Sequence, residues 1–158
     1  MAQAKEALIG RAVTDENRPG SLPCPDTDGD GSSEGILVDD CNAYIGRLPW
    51  RTLRLPDIRD GAGEHLWYAL SPNFRDDDSA QPINTNSPGR LSVIGSVAVA
   101  NVVAVVFSPG PPLGAQPRDV PSENNIANYL EGENANGDDI FATGPSTPQF
   151  NDQLLPIT

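Results

Sequence analysis

Apolar residues are grouped in a few short segments of the chain, and the first segment has the period of a helix. The stretch Ala2–Val13 is rich in strong helix formers, and Pro19 and Gly20 follow it closely. The apolar positions that share one face of this helix are Ala4, Leu8, Ile9 and Ala12. A helix of about three turns is marginal alone, so we expect it to dock on the rest of the protein or to continue a longer helix upstream.

The strand signals lie in the second half of the chain. The stretch 91–107 alternates at first and then becomes continuously apolar, and a Gly-Ser pair at 95–96 interrupts it. This pattern predicts a two-stranded hairpin whose second strand is buried on both faces. Residues 139–143 and 150–158 predict two further strands near the C-terminus.

The middle of the chain predicts less regular structure. Tyr44–Phe74 holds both tryptophans and is interrupted by prolines, so we expect it to pack across the core as a lid, while Arg75–Gly89 is polar and predicts a loop. The element order predicts one domain over residues 1–158, with the end of a helix at 1–14, a loop-rich segment at 15–75 and a β-rich segment at 90–158. That order is typical of an α+β fold with one N-terminal helix packed on an antiparallel β-sheet.

The chain is strongly acidic, which excludes some partners. It has 22 acidic residues against 10 basic ones, a formal net charge of −12, and a single lysine, Lys5. Binding to a phosphate backbone requires clustered Lys and Arg, so nucleic acid and anionic membrane surfaces are poor partners. The sequence contains no apolar run of the ~18 residues that a membrane-spanning helix needs.

Candidate catalytic residues are few. His65 is the one histidine, and Ser71 and Ser108 lie in Ser-Pro turns rather than in a nucleophile elbow. Because neither serine lies in a nucleophile elbow and no carboxylate pair stands out, the sequence predicts a protein that is not an enzyme. One histidine and two cysteines also do not supply a tetrahedral zinc site.

Two cysteines flank an acidic loop. Cys24 and Cys41 lie 17 positions apart, and a disulfide between them would stabilise the fold by roughly 3 kcal/mol in the chain-entropy model. The pair suits an oxidising compartment and predicts an exported protein. The alternative is two unrelated free thiols.

The sequence between the cysteines contains the D-x-D-x-D-G pattern of a calcium-binding loop. Asp26, Asp28 and Asp30 precede Gly31 as in the first half of an EF-hand loop, but Leu37 stands where that loop carries its bidentate glutamate. A cation would therefore sit in an irregular cage of oxygens. The candidate ligands of a structural Ca²⁺ are Asp26, Asp28, Asp30, Glu34, Asp39 and Asp40. The alternative is a solvated loop whose charges are screened by salt.

A second oxygen-rich turn occurs in residues 131–139. Its candidate ligands are Glu131, Glu133, Asn134, Asn136, Asp138 and Asp139. An Asn-Gly pair followed by acidic residues is also an ordinary hairpin turn, so both interpretations stay open.

Four of the ten basic residues lie close together after the second cysteine. They are Arg47, Arg51, Arg54 and Arg59. They either neutralise aspartates of the chain itself, namely Asp57, Asp60 or Asp76–Asp78, or form a docking edge for the acidic face of a neighbouring subunit.

Seven motifs are spread along the chain from Ala4 to Leu155, and none is a catalytic signature. They are AKEALIGRAV, LPCPDTDGDG, YIGRLPWRTL after the second cysteine, LPDIRDGAGEHLWYALSPNF, AVVFSPGPPLG, NYLEGEN and FNDQLL. Together they resemble the bacterial type IV pilin-like proteins, that is, minor pilins and type II secretion pseudopilins. The resemblance implies that Ala4–Val13 is the tail of a long spine helix and that a head of antiparallel strands sits on it.

The resemblance also implies a function and a location. The protein would be a structural subunit that assembles with other pilin or pseudopilin subunits in a fibre or secretion apparatus. It would be exported to the periplasm or cell exterior, anchored in the inner membrane before assembly by an N-terminal helix that this sequence lacks. The alternative is an adhesive or ligand-binding extracellular domain that presents Trp50–Phe74, including Trp67, to a carbohydrate or protein.

Overall fold

A computed structural model of the chain describes residues 1–34, 40–77, 81–119 and 124–158. Within these ranges it contains one α-helix, α1 (Ala2–Thr14), and seven β-strands. The strands are β1 (Ile45–Arg47), β2 (Trp67–Leu70), β3 (Leu91–Gly95), β4 (Val99–Val102), β5 (Ala104–Ser108), β6 (Ile140–Thr143) and β7 (Gln153–Ile157). Three predictions made from the hydrophobic pattern are confirmed. They are the N-terminal helix α1, the hairpin of β3 and β4, and the two C-terminal strands β6 and β7.

The strands form two sheets rather than one. The first sheet has the order β1-β2-β5-β7, and all its neighbours are antiparallel. The second has the order β4-β3-β6, in which β3 and β4 are antiparallel but β3 and β6 are parallel. The α+β class is therefore confirmed, and the antiparallel sheet expected beside the helix is the first sheet. The second sheet, with its parallel pair, was not predicted.

The second arm of the predicted hairpin is divided between the two sheets. β4 ends at Val102 and pairs with β3, whereas β5 starts at Ala104 in the first sheet. Asn101 adopts a positive φ of 57° at this corner. Gly89 passes so close that a Cβ there would lie 2.3 Å from the Val102 carbonyl oxygen. Ala100 and Asn101 of β4 are exposed, whereas β5 is buried on both faces, so the predicted two-sided burial applies to β5 and not to β4. The break falls inside the apolar run 102–107, so composition gives no sign of it.

The first sheet is buried on both faces. In β2, Trp67 and Ala69 face the second sheet, where they pack in a core that includes Phe141. Tyr68 and Leu70 face the other side, in the core that includes α1. Residues 44–74, which were expected to form a lid, therefore supply strands β1 and β2 of this sheet. A strand that is buried on both faces has a continuously apolar sequence, as β2 does.

The helix α1 covers the outer face of the first sheet. Ala4 and Leu8 are fully buried there, and Lys5 Nζ donates to the Pro156 carbonyl of β7 over 3.2 Å. Ile9, predicted to share the buried face, is instead 45% exposed, because it lies about 100° around the helix from Leu8. Val13 is 76% exposed. No helix in the described part of the chain is long and apolar enough to cross a membrane.

Candidate metal centre

The predicted disulfide is present and closes the acidic loop. Cys24 and Cys41 are bonded, with their Cα atoms 5.4 Å apart, so the alternative of two free thiols is wrong. Two residues beyond the first cysteine, Asp26 exchanges backbone hydrogen bonds of 2.9 and 2.8 Å with Arg47 of β1. The loop therefore starts from a point fixed on the first sheet.

The side chain of Asp26 organises the first turn of this loop. Asp26 is 1% exposed, and its Oδ1 accepts a hydrogen bond from Gly29 N at 2.6 Å while Oδ2 accepts one from Gly31 N at 2.8 Å. Both glycines have positive φ values, 84° and 87°. A Cβ on Gly31 would also lie 2.4 Å from the Trp50 ring, so glycine is required at this position on two grounds.

Four of the six predicted ligands come together in the folded loop. Asp26, Asp28, Asp30 and Glu34 each offer a carboxylate oxygen, and these oxygens lie within 4.8 Å of one another. Asp28 and Asp30 are exposed and Asp26 is buried, so the group has a buried base and an open outer side. Such an acidic cluster can hold a metal ion, and an all-oxygen donor set favours a hard cation.

Two carboxylates of the cluster, Asp26 and Glu34, have raised pKa values, so their ionised forms are disfavoured. Burial raises the pKa of Asp26, although hydrogen bonds from Gly29 and Gly31 and the charge of Arg47 act in the opposite direction. Burial also raises the pKa of Glu34, and the neighbouring charges of Asp28 and Asp26 add to that rise. A bound cation would stabilise the ionised forms of both carboxylates.

The remaining two predicted ligands are not in this group. Asp39 lies outside the described residues. The Asp40 side chain is 58% exposed and accepts hydrogen bonds from the Tyr44 hydroxyl and from Cys41 N, with Arg75 Nε 3.8 Å away. The Tyr44 hydrogen bond is the main cause that lowers the pKa of Asp40.

The second oxygen-rich turn has a different structure. Asn136 Oδ1 accepts from Asp138 N at 3.0 Å, as in an ordinary side-chain-capped turn, and Asp139 forms an ion pair of 2.8 Å with Arg90. Asn134 is fully buried and bonds to the protein interior. Apart from Glu133, the candidate ligands of this segment use their oxygens in structural contacts, which favours the turn interpretation.

Arg47 is an internal residue and not part of a docking edge. It is 2% exposed, and its guanidinium carbon lies 5.3 Å from the ring centroid of Trp67 and 5.1 Å from that of Tyr129. Trp67 itself is fully buried. The expectation that Trp67 contacts an external ligand is therefore wrong.

The other three arginines of the cluster are at the surface. Arg59 pairs with Asp57 at 2.9 Å, as the internal interpretation predicts. Arg51 stacks on the Trp50 ring at 5.0 Å, and both Arg51 and Arg54 are exposed. Of the four arginines, Arg51 and Arg54 therefore remain candidates for a docking edge.

Apart from Asp57, the described aspartates that were expected to pair with these arginines have other partners. Asp76 pairs with Arg11 at 2.7 Å, and Asp77 pairs with Arg18 at 3.0 Å. Asp60 accepts from Ser108 Oγ and Gly110 N. Asp78 lies outside the described residues.

The candidate catalytic side chains make structural contacts. His65 Nε2 lies 2.8 Å from Asp57 Oδ1, and the fully buried Ser71 accepts a hydrogen bond from Arg90 N at 2.8 Å. Sequence reasoning missed two other features, a cleft of about 500 Å³ beside β1 and a buried contact between Glu131 and Asp152. Neither has a local sequence signal, because both arise from segments far apart in the chain.

Comparisons of the chain with models of known protein families, with curated proteins and with solved structures find no match.

Proposed function

We propose that this protein is the head of an exported structural subunit of the type IV pilin-like kind, a minor pilin or pseudopilin, that acts by assembling with other subunits. One observation carries the proposal: α1 has apolar residues on two sides, and only one of these sides packs against the rest of the described chain. A helix that is apolar beyond its docked face has surface available for a partner.

The two sides of α1 differ in what they contact. Ala4 and Leu8 are fully buried against the first sheet. Ile9 and Val13, one turn apart, are 45% and 76% exposed, and a Cβ on the adjacent Gly10 would meet nothing within 4 Å. In the proposed assembly this outer side packs against the helix of another subunit, and a membrane-anchoring segment precedes α1 in the full-length protein.

Two further features support an exported subunit. The Cys24–Cys41 disulfide is typical of proteins that mature in an oxidising compartment. The exposed Arg51 and Arg54 supply positive charge on a chain of net charge −12, and such charges set the register and rate of association more than its affinity.

The assembly proposal is tested in the full-length protein by placing a charge on the outer side of α1. Ile9→Glu and Val13→Glu should each lower incorporation into the assembled structure while leaving the thermal unfolding of the head unchanged. Gln3→Glu, which adds the same charge at another exposed position of α1, is the matched control. Normal incorporation of an Ile9→Glu/Val13→Glu double variant would reject the proposal.

We further propose that the cation of the acidic cluster is Ca²⁺ and that its role is structural. Calcium accepts irregular cages of carboxylate and carbonyl oxygens, whereas Mg²⁺ demands near-ideal octahedral geometry. Titration calorimetry should detect Ca²⁺ binding that Asp28→Asn weakens and that Asp138→Asn, at an exposed turn, does not. Equal heats with Ca²⁺ and Mg²⁺, or equal binding by the two variants, would contradict this assignment.

A second candidate function is an extracellular ligand-binding domain. The cleft beside β1 has about 500 Å³ of space, apolar side chains that include Tyr44 and Ile126, and the Arg90–Asp139 ion pair on its lining. This is the size range of small-molecule sites. A glycan or peptide array probed with wild type and Ile126→Trp, which would fill the cleft, tests this function. Binding that survives the substitution would exclude the cleft.

A further inference from the structure

Glu131 and Asp152 form a buried acidic contact that is distinct from the exposed acidic loop. They are 8% and 4% exposed. Glu131 precedes the short 3-10 helix Gly132–Ala135, and Asp152 directly precedes β7. Two carboxylates in one buried contact are costly unless a proton or a cation separates them.

The hydrogen bonds of this contact leave one oxygen without a donor. Asp152 Oδ2 accepts from Glu131 N and from Asn134 Nδ2, both at 2.9 Å. Glu131 Oε1 accepts from Gln116 Nε2 and Oε2 from Asn151 N, both at 3.0 Å. Among the described residues, Asp152 Oδ1 is buried and accepts no hydrogen bond.

This arrangement indicates where a proton resides. Neither carboxylate can donate a hydrogen bond while both are ionised, and Asp152 Oδ1 is the oxygen of the pair that has no donor among the described residues. All the other carboxylate oxygens already accept N–H groups, so the proton belongs on Asp152 Oδ1. Burial is the main cause that raises the pKa of Asp152 to about 7, and the charge of Glu131 adds to it.

The contact also connects the two sheets. Asn134, held by Asp152, donates from Nδ2 to the Ala142 carbonyl at 3.2 Å and accepts from Ala142 N at 2.7 Å. Ala142 belongs to β6 of the second sheet, whereas Asp152 leads into β7 of the first. We propose that Glu131 and Asp152 share one proton and form a pH-responsive clamp that joins the two sheets.

The charges around the clamp do not offset a second negative charge. Arg118 is the cation of this network, but it donates to Gln116 Oε1 at 2.9 Å and pairs with Glu64 at 3.2 Å. Within the described ranges, no lysine, arginine or histidine forms an ion pair with Glu131 or Asp152. Loss of the shared proton therefore leaves two adjacent carboxylates that repel each other, and the clamp opens.

Carboxyl carbon NMR titration of the whole chain tests the clamp. Asp152 should titrate near pH 7 rather than near its usual value of 3.8. Glu131→Gln should lower that midpoint, because it removes the neighbouring charge. Glu133→Gln, an exposed glutamate of the same turn, is the matched control and should leave the midpoint unchanged.

Amide exchange reports the opening itself. After correction for intrinsic rates, the protection of Ala142 N should fall at least tenfold between pH 5.5 and 8.5 in the wild type and stay constant in Asp152→Asn. An Asp152 midpoint near 4, or equal protection of Ala142 at both pH values in the wild type, would overturn the proposal. The wild-type measurements decide the matter even if Asp152→Asn does not fold.

Discussion

The buried Asp152 carboxyl makes the stability of the protein depend on pH in a defined direction. Its pKa is about 7 in the folded protein and near the ordinary 3.8 when the chain is unfolded. Between these values the folded state binds the extra proton and the unfolded state does not. The stabilisation is therefore complete below about pH 4, falls as the pH rises and is lost above about pH 7.

The size of the effect follows from the shift. A difference of about 3 pH units, at about 1.4 kcal/mol per unit, gives an upper limit of ~4 kcal/mol in the free energy of unfolding. Carboxyls with lowered pKa values act in the opposite direction and at lower pH. One of these is Asp15, where burial is opposed by hydrogen bonds from Arg18 and Arg11. The contribution of Asp152 is therefore measured as a difference between two variants over the same pH range.

Asp152→Asn is the informative substitution. Its amide oxygen can accept from Glu131 N and Asn134 Nδ2, and its NH₂ group can donate to Glu131 as the protonated acid does. Urea unfolding of both proteins from pH 4.5 to 8.5 should show the wild type losing stability relative to the variant by a few kcal/mol. Asp138→Asn is the exposed control, and its curve should parallel the wild type. Parallel curves for Asp152→Asn and wild type would refute the reasoning.

Three further outcomes follow from the fold and the acidic loop. In urea unfolding, Leu8→Ala should cost about 2–5 kcal/mol and Ile9→Ala less than about 0.5, and equal costs would contradict the docking of α1. Ca²⁺ at 100 times its Kd should raise the unfolding free energy by about 2.7 kcal/mol, and an equal rise in Asp28→Asn would locate the ion elsewhere. Replacing Cys24 and Cys41 by serine should cost about 3 kcal/mol, and an unchanged denaturation midpoint would show that the loop needs no cross-link.

The sequence predicted those elements whose signal is local. The helix repeats apolar residues along one face, and the 91–107 stretch has a turn pair between two apolar arms, so α1 and the β3–β4 hairpin could be identified. Asp26, Asp28, Asp30 and Glu34 are close in the chain as well as in space, which is why this acidic cluster could be predicted.

Features that depend on distant segments could not be predicted. The change of sheet between β4 and β5 occurs inside one apolar run, and burial in either sheet requires the same residues. Trp67 lies in an irregular, proline-interrupted segment that is typical of a surface, yet its strand is central. The Glu131–Asp152 contact joins residues from two turns, and a carboxylate pattern alone does not tell a buried acid from a solvated one.

The proposal that α1 is the end of a longer spine helix is tested most directly on the mature protein from its native cell. Mass spectrometry of its N-terminus should reveal a prepilin-type start followed by about twenty apolar residues that run directly into α1. A mature chain that begins after an ordinary secretory signal, with no apolar segment before α1, would contradict the account.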